Sequence, residues 1–453
     1  MRGGRELQRE MAKGKKGKKG KKGAGDKPII PPVTTVKMLE DRTKMLCPRM
    51  GDVYTRTQQV DHILEDVATH LIKKVAKKQL VSLSLCSMRM SDFPELTLIL
   101  PDLQCLREVN LSKNNLFNGD KLFEALCQLE QLTKVDLSEN CLNGQLSDFA
   151  GNLNLLESIN LDVNQLTGLG STVSNWTKLQ RFSAQDNSIT EIPEEAASWK
   201  EAQCVNFKNN KISSLPGMLF NAWQKLEKLY LGSNLLTEIP IEVGSCPSII
   251  ELDFSSNQIE TVPTNLALCE QLELLHLGNN QILEIPPEIF SSLGKLRELQ
   301  LYKNKLTILP PEVGNLRSIE RLSVASNNIK TVPEEIGSCV TLVELYLSNN
   351  AKLSYFPSSA GHLRRLQELK LYKCPALKQV PTTLLEMSSL KELDLRAVKK
   401  QVCKISPECM DAFKAQKCIV RGGVVKKIKG DIKPPAPDVP PAATDGGEGA
   451  ADA

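Results

Sequence analysis

IPPEIFSSLGKLRELQLYKNKL, residues 285–306, ends in the pattern L-x-x-L-x-L-x-x-N-x-L, in which x is any residue. The pattern returns along most of the chain, and successive copies are separated by 23, 24 or 26 residues. An asparagine fills the N position of eleven copies, and Cys374 fills it in the next copy. We call this the ladder position, and its asparagines are Asn114, Asn140, Asn164, Asn187, Asn210, Asn234, Asn257, Asn280, Asn304, Asn327 and Asn350.

A period of roughly 20–29 residues with this pattern is the signature of the leucine-rich repeat. Degenerate copies place Met88 and Val398 at the ladder position, which makes about fourteen units. Apolar residues alternate in segments such as Leu229–Leu231, and this alternation predicts short strands with one buried face. Stacked units are expected to form an α/β solenoid, shaped like a horseshoe, with a parallel β-sheet on its concave side. Each ladder asparagine should satisfy backbone groups where the chain turns inward.

The outer side of the solenoid is predicted from the residues that follow each ladder position. Most units contain Ile-Pro, Leu-Pro or Val-Pro there, as at Ile285-Pro286 and Val332-Pro333. Proline fixes the backbone φ angle and cannot continue a helix, so we expect tight turns and short helices. The first full units, 26 and 24 residues long, lack this proline, and their outer sides (Asp120–Leu129, for example) are expected to be more helical.

A second column of residues lies eleven positions before the ladder position, and we call it the wall position. Leucine is common there, whereas three consecutive units carry Trp176, Trp199 and Trp223. We predict that these tryptophans stack inside the outer wall, and a functional tryptophan cluster is the alternative. Three other units are expected to bury a cysteine there as a small apolar residue rather than as a metal ligand: Cys246, Cys269 and Cys339.

Two segments carry a resemblance to a known group of repeats. The segment quoted above and VPEEIGSCVTLVELYLSNN, residues 332–350, resemble the leucine-rich repeats of the intracellular Ras-group type. The resemblance extends over residues 80–400. It implies a scaffold that recognises a protein through the concave face, and it carries no catalytic residues to transfer.

The composition excludes several other classes of protein. Apolar runs such as Leu98–Leu100 are too short to cross a bilayer, and the charged N-terminus is not followed by the apolar stretch of a secretory signal. The thirteen cysteines are scattered without paired spacing, which favours a reducing compartment. The four histidines have no metal-ligand spacing, and Gly168-Leu-Gly170 is not followed by the Gly-Lys-Ser/Thr of a phosphate loop. We therefore expect no enzymatic activity, no cofactor, no metal and no small-molecule substrate.

The two ends of the chain hold all of its charge asymmetry. Residues 1–27 carry a net charge of +8, residues 431–453 carry −4, and the remainder is neutral. Residues 1–28 and 431–453 are predicted to be disordered tails, basic and Gly/Lys-rich at the N-terminus and acidic and Pro/Ala/Gly-rich at the C-terminus. Met11 begins MAKGKKGKKGKKG, which resembles a natural start.

The basic tail suggests a polyanion-binding arm. Acidic tubulin tails, RNA and acidic lipid all have the required charge, and a tail that only keeps the chain soluble is the alternative. The lysines concerned are Lys15, Lys16, Lys18, Lys19, Lys21 and Lys22.

Helical caps are predicted at both ends of the repeat domain, residues 80–400. In the N-terminal segment, residues 29–79, a helix over residues 57–78 should cover the first repeat, and a membrane-surface helix is the alternative. The C-terminal cap, residues 401–430, begins with the helix-start signal Ser406-Pro407-Glu408 and continues with apolar Met410 and Phe413. The N-terminal helix would place six apolar residues on one stripe: Val60, Ile63, Leu64, Val67, Leu71 and Val75.

The candidate binding surface is the exposed side of the strands in the C-terminal half. Exposed tyrosine and arginine are typical of protein-binding hot spots, whereas the simpler interpretation is that tyrosine favours strands. Earlier units carry small polar residues at the same positions and should bind weakly or differently. The candidate partner-binding residues are Tyr230, His276, Tyr302, Lys303, Arg321, Tyr346, Lys370, Tyr372 and Lys373, and the cations among them are expected to favour an acidic partner.

The sequence therefore predicts a non-enzymatic scaffold that binds a protein partner on its concave face. Lys-Gly tracts resemble the N-termini of some axonemal proteins, so we expect a cytoplasmic setting in cytoskeletal or ciliary assembly. Regulation of a small GTPase or a phosphatase is the alternative that the Ras-group resemblance implies. A ribosome- or RNA-associated factor that uses the lysine tract is the third.

Overall fold

The computed structural model describes residues 68–75, 77–78, 80–91, 103–397 and 402–428. The predictions for both tails, and for most of the segment 29–79, lie outside these residues.

One long parallel sheet organises the described residues. It has fifteen strands of three or four residues, ordered as in the sequence. Equivalent positions of successive units pair, so that Leu299 lies beside Leu275 and Leu322 and all three are buried. This confirms the predicted repeat solenoid. The strands are Ser82–Ser84, Glu108–Asn110, Lys134–Asp136, Ser158–Asn160, Arg181–Ser183, Cys204–Asn206, Lys228–Tyr230, Glu251–Asp253, Leu274–His276, Glu298–Gln300, Arg321–Ser323, Glu344–Tyr346, Glu368–Lys370, Glu392–Leu395 and Ile419–Gly422.

The ladder asparagines hydrogen-bond across neighbouring units. The Nδ2 of Asn280 donates to the carbonyls of Phe254 (2.9 Å) and Leu277 (3.0 Å). Its Oδ1 accepts from the N–H of Ile259 at 3.1 Å. One buried side chain thus satisfies three backbone groups, two of them in the preceding unit. Only an amide can donate and accept in this way at neutral charge.

The residue before each ladder position adopts a left-handed backbone conformation. From Lys113 to Lys373, the twelve residues at this position have φ angles between 53° and 62°. Asparagine, aspartate and small polar residues tolerate this region, but β-branched Val163 does so at a cost in strain. The sequence pattern alone did not predict this turn.

The outer helices are of two kinds. The proline lies six or seven residues before the wall position, and this spacing determines which kind forms. Pro193 precedes the wall residue Trp199 by six residues, and the N–H of Trp199 donates to the carbonyl three residues back, as in a 3₁₀-helix. Pro216 precedes Trp223 by seven residues, and the N–H of Trp223 donates four residues back, as in an α-helix. The α-helices are Gly119–Cys127, Met218–Ala222, Pro287–Ser292 and Pro407–Ala415; the 3₁₀-helices are Asp148–Asn152, Ser171–Asn175, Glu194–Ser198, Ile241–Ser245, Thr264–Leu268, Pro311–Asn315, Glu334–Ser338, Ser358–His362 and Thr382–Glu386.

The outer sides of the first two full units, which were expected to be more helical, differ. The first contains the α-helix Gly119–Cys127, in agreement with the prediction. In the second the prediction of a more helical segment was wrong, because Asp148–Asn152 is a single 3₁₀ turn. That unit instead forms a small outer sheet, in which Asn143–Gln145 pairs in parallel with Gln165–Gly168.

The wall position holds hydrogen-bond donors as well as apolar bulk. The indoles of Trp176, Trp199 and Trp223 are buried and stacked, with successive ring centroids 6.1 and 6.2 Å apart. Each indole N–H donates to an outer-wall carbonyl of the preceding unit, as Trp199 does to Val173 at 2.9 Å. The thiol of Cys269 makes the equivalent bond to Val243, and burial raises its pKa to about 12, so it remains a donor. Tryptophan and cysteine therefore serve the same structural role here.

The N-terminal end of the described solenoid is helical at residues 68–75 and 77–78. Ala68, Ile72 and Val75 are buried, whereas Leu71 is partly exposed. The predicted stripe was therefore wrong at Leu71, because Ile72 fills that place in the core.

The C-terminal segment adds a helix and one further strand. Ser406 caps helix Pro407–Ala415 by accepting from the N–H of Cys409 at 3.1 Å. Cys409 and Phe413 are buried, whereas Met410, expected in the core, is only half-buried. The chain then returns to the sheet as Ile419–Gly422, a strand that the repeat pattern did not predict. Val424–Val425 then pairs in parallel with Lys404–Ile405, which lies before the helix in the sequence.

Replacing Asn280 by leucine tests the ladder. The buried carbonyls of Phe254 and Leu277 and the N–H of Ile259 would lose their partner, so we expect the free energy of unfolding to fall by about 1–3 kcal/mol. Urea unfolding followed by circular dichroism measures this loss. The exposed Asn221→Leu is the matched control, and equal stability of the two variants would contradict the assigned role.

Candidate functional site

The candidate partner-binding residues all lie on the side of the long sheet opposite the buried leucines, which we call the strand face. Arg321 begins a strand, and Tyr230, His276, Tyr346 and Lys370 end one. The other four follow the strands, where the chain turns away: Tyr302, Lys303, Tyr372 and Lys373. The structure divides the nine residues among three groups rather than one cluster.

The first group begins as a chain of ion pairs across four neighbouring strands. The Nε2 of His276 lies 3.0 Å from Oε1 of Glu298. The other oxygen of Glu298 accepts from Arg321 at 2.8 Å, and the Nε of Arg321 lies 3.5 Å from Glu344. Each contact joins residues about one repeat apart, so it also ties adjacent units together.

The chain continues over the next three strands. The hydroxyl of Tyr346 lies 2.9 Å from Oε2 of Glu344 and 3.0 Å from Oε2 of Glu368. Lys370 then pairs with Glu368 at 3.5 Å and with Glu392 at 2.7 Å. Arg421, on the last strand, donates to Glu392 at 2.9 Å. We call the whole series the polar row: His276, Glu298, Arg321, Glu344, Tyr346, Glu368, Lys370, Glu392 and Arg421.

The polar row balances its own charges. Burial works to raise the pKa of Glu298, but hydrogen bonds from Arg321 and Gln300 and the proximity of His276 outweigh it, and the pKa lies below its ordinary 4.5. Burial and two carboxylate acceptors raise the pKa of Tyr346, so its hydroxyl stays protonated. Four glutamates face Arg321, Lys370 and Arg421. Of the cations expected to surround the tyrosines with positive charge, Lys303, Arg321 and Lys373, the prediction is wrong at Arg321, because Glu298 and Glu344 pair with it.

The second group consists of tyrosines and lysines in the turns after the strands. The ring of Tyr302 packs over Gly278, where any side chain would collide with it. The ring of Tyr372 lies between two cations, 5.8 Å from the guanidinium carbon of Arg396 and 6.0 Å from Lys373 Nζ. These contacts hold the rings in place and leave them half-buried, not fully exposed as expected. Lys303 and Lys373 are exposed beside them.

The third group surrounds Tyr230, which the sequence placed alone among small residues. Its hydroxyl donates to Glu251, and Lys228 Nζ lies 2.6 Å from the same carboxylate. Burial and the bond to Glu251 raise the pKa of Tyr230. Tyr230 is therefore part of a local hydrogen-bonded cluster, whose Glu251 lies one strand before His276, the first member of the polar row.

In the earlier units of the strand face, some polar side chains bond within their own turns. Asn110 Oδ1 accepts from the N–H and the hydroxyl of Ser112, two residues on, at 2.9 and 2.8 Å. Asp253 does the same for Ser255. Tyr346 occupies the equivalent position in a later unit, so the buried hydroxyl of Ser348 has no such acceptor and no hydrogen-bond partner.

Five members of the polar row were not among the candidate residues: Glu298, Glu344, Glu368, Glu392 and Arg421. Glu392 lies six residues before Val398, the same spacing as Glu298 before Asn304, so the repeat pattern could have identified it. Arg421 follows a helix of the C-terminal segment and has no counterpart in the pattern, so it could not be assigned to a strand. The proposed polyanion-binding lysines lie outside the described residues.

The described residues contain neither a candidate metal site nor a candidate membrane-spanning helix. No three His, Cys, Asp or Glu side chains there are grouped to hold a metal ion. Within the same ranges, no helix has both the length and the apolar character to cross a membrane.

The lowered pKa of Glu298 makes stability depend on pH. Its folded pKa lies below its unfolded value, so its contribution is complete above about pH 4.5 and is lost as the pH falls through the folded pKa. We expect Glu298→Gln to cost up to about 1 kcal/mol at pH 7 and to flatten the decline in stability as the pH falls below about 4.5. Thermal melts across this range measure both effects.

The control for this substitution is Glu284→Gln. Glu284 is exposed and belongs to the segment that follows Asn280, away from the polar row. It should leave both the stability at pH 7 and the acid decline unchanged. Identical curves for the two variants would contradict the role of Glu298.

Known proteins provide an independent test of the fold. A family model described as a leucine-rich repeat region matches residues 288–416, and another described as a leucine rich repeat matches residues 224–282. No curated protein matches the sequence. The structure of a leucine-rich repeat protein from Leptospira interrogans is 25% identical, with a TM-score of 0.57, over 77% of this chain and 97% of that one.

Two further structures are similar at lower identity. The functional domain of InlJ from Listeria monocytogenes is 19% identical, with a TM-score of 0.59, over 72% of this chain and 74% of that one. A chain of the Drosophila Toll–Spatzle complex is 22% identical, with a TM-score of 0.56, over 75% of this chain and 44% of that one. At these identities the likeness concerns the fold alone. The asparagine ladder, the parallel sheet and both family models agree that this chain is a leucine-rich repeat protein.

Proposed function

We propose that this chain is a non-enzymatic scaffold that binds a protein partner on the C-terminal half of its strand face. The observation that carries the proposal is a set of tyrosine side chains that neighbouring residues already hold in place. Tyr302 and Tyr372 follow strands that are three positions apart, about 14 Å at the spacing of a sheet, with Tyr346 between them. Rings fixed before binding lose little entropy on association, and tyrosine is enriched in binding hot spots.

The polar row defines the kind of partner that fits. Its charges are already paired with neighbours of opposite sign, so a strongly acidic or basic surface gains little from contact with it. A partner of mixed charge, which packs on the rings and hydrogen-bonds to the edges of the row, suits it better. The Toll–Spatzle structure is of a protein complex, which supports protein recognition by a similar fold.

We place the scaffold in the cytoplasm, in cytoskeletal or ciliary assembly. The support is the Lys-Gly tract over residues 14–23, whose charge suits an acidic polymer such as tubulin tails. Regulation of a small GTPase or a phosphatase is the second candidate, supported by the resemblance to Ras-group repeats. An RNA- or ribosome-associated role through the same lysines is the third.

Substituting strand-face tyrosines tests the scaffold proposal. Tyr302→Ala and Tyr346→Ala should each weaken partner affinity by about 1–3 kcal/mol, because each removes a preordered ring from the interface. Pulldown with the full chain, quantified by mass spectrometry, identifies partners, and titration calorimetry then measures the affinity of each variant. Thermal melts separate lost binding from lost folding, and Tyr346→Phe separates the ring from its hydroxyl bonds.

Tyr230→Ala is the matched control, because Tyr230 lies in an earlier unit and bonds to Glu251 rather than to Glu344 and Glu368. It should reduce affinity less than either other substitution. Equal losses at all three tyrosines, or losses explained by unfolding, would show that the interface lies elsewhere.

Deleting residues 1–28 tests the polyanion arm. Co-sedimentation of the full chain with polymerised tubulin, and filter binding to RNA, should weaken steeply as salt is raised, because lysine contacts displace counterions. The deletion should remove most of this binding. An unchanged, salt-insensitive affinity after deletion would leave the tract as a solubilising tail.

A further inference from the structure

We propose that the edge strand Ile419–Gly422 binds an acidic, extended segment of a partner protein, which joins the sheet as a sixteenth strand. This site lies at the end of the solenoid, and its strand contributes Arg421 to the polar row but no tyrosine to the strand face. The inference therefore does not depend on the proposed function.

The backbone of this strand offers an open edge. Ile419–Gly422 pairs in parallel with Glu392–Leu395, and the N–H of Ile419 donates to the carbonyl of Lys391 at 2.8 Å. Alternate residues of a parallel strand bond to opposite sides, so the N–H and C=O of Val420 point away from Glu392–Leu395. Within the described ranges, no strand pairs with that second side. An open edge of this kind accepts an added strand through backbone hydrogen bonds.

The side chains around the edge define the chemistry of the added strand. Residues 402–428 contain six Lys or Arg and two acidic residues, a net charge of +4. Lys417, Lys426 and Lys427 are exposed. Ile419 is 56% exposed and Val425 is 50% exposed, so apolar contacts lie next to the cations. A segment that alternates acidic and β-branched residues matches both features.

A second copy of the chain and the chain's own tail fit this edge less well. Two copies joined edge to edge would bring two clusters of net charge +4 together, which opposes association. The acidic tail, residues 431–453, has prolines at five positions between 434 and 441. Proline has no N–H to donate to a sheet, so this part of the tail is a poor strand. An acidic segment of a partner avoids both problems.

Synthetic peptides test the proposal on the full chain. The probe is a fluorescein-labelled peptide, Glu-Val-Glu-Val-Glu-Val-Glu, and binding is followed by fluorescence anisotropy. Its lysine counterpart, and a version with proline at the central valine, should each bind at least about tenfold more weakly. Hydrogen exchange should slow across residues 416–426 when the probe binds. Absence of probe binding, or equal binding of the proline version, would overturn the proposal.

Charge reversal at the edge provides a matched pair of variants. Substituting Lys417, Lys426 and Lys427 together by glutamate should weaken probe binding by at least about tenfold, because the cations that attract the acidic strand are lost. The control reverses three exposed lysines elsewhere, Lys211, Lys305 and Lys352, by the same total charge. Equal losses in the two triple variants would mean non-specific attraction and overturn the site.

Two further measurements distinguish the other occupants and the strand-face proposal. Truncation after residue 428 should leave probe affinity unchanged, and binding that appears only after truncation would assign the edge to the chain's own tail. Sedimentation of the free chain should show no dimer. A dimer that dissociates when the probe is added would assign the edge to a second copy. Tyr302→Ala should bind the probe normally, so that failure at the edge and failure on the strand face remain separate results.

Discussion

The amide of the ladder asparagine is the interaction on which the solenoid depends. A chain that leaves a strand and turns into the core must satisfy buried N–H and C=O groups that have no neighbour in their own unit. The asparagine supplies a donor and an acceptor from one neutral side chain, and two of its three bonds, for example those of Asn280 to Phe254 and Ile259, reach the preceding unit. These bonds fix each unit against the one before it, and the strands pair in register as a consequence.

Cys374 shows when the ladder does not need an asparagine. The N–H of Ile329, two residues after Asn327, donates to the amide oxygen of Asn350. After Asn350 the turn contains one additional residue, and the N–H of Leu353 donates instead to the carbonyl of Asn350 itself. The N–H of Leu353 therefore does not need the next ladder residue as its acceptor. A thiol, which donates to the carbonyl of Leu347 at 3.4 Å, is sufficient there.

The two sides of the sheet solve different problems. The inner side is closed by a buried apolar residue at the centre of each repeat strand, most often leucine, and by leucines, tryptophans or cysteines on the outer wall. The strand face of the later units carries long charged side chains that lie only one strand spacing apart. Alternating Glu298, Arg321 and Glu344 place opposite charges side by side, which avoids repulsion and restrains the side chains. The result is a rigid, nearly neutral surface with tyrosine rings set into it.

The local pattern was enough to predict the repeat, the strands, the ladder and the buried wall. All of these repeat every 23 to 26 residues because each unit meets the same neighbours, so one solution serves them all. The pairing of Arg321 with Glu298, the packing of Tyr302 on Gly278 and the return of Ile419–Gly422 to the sheet required the folded chain. These features depend on which residues of different units become neighbours. Two things determine these neighbours: the spacing of strands in the stack, and the path of the chain after its last regular turn. Neither is encoded in a repeating local pattern.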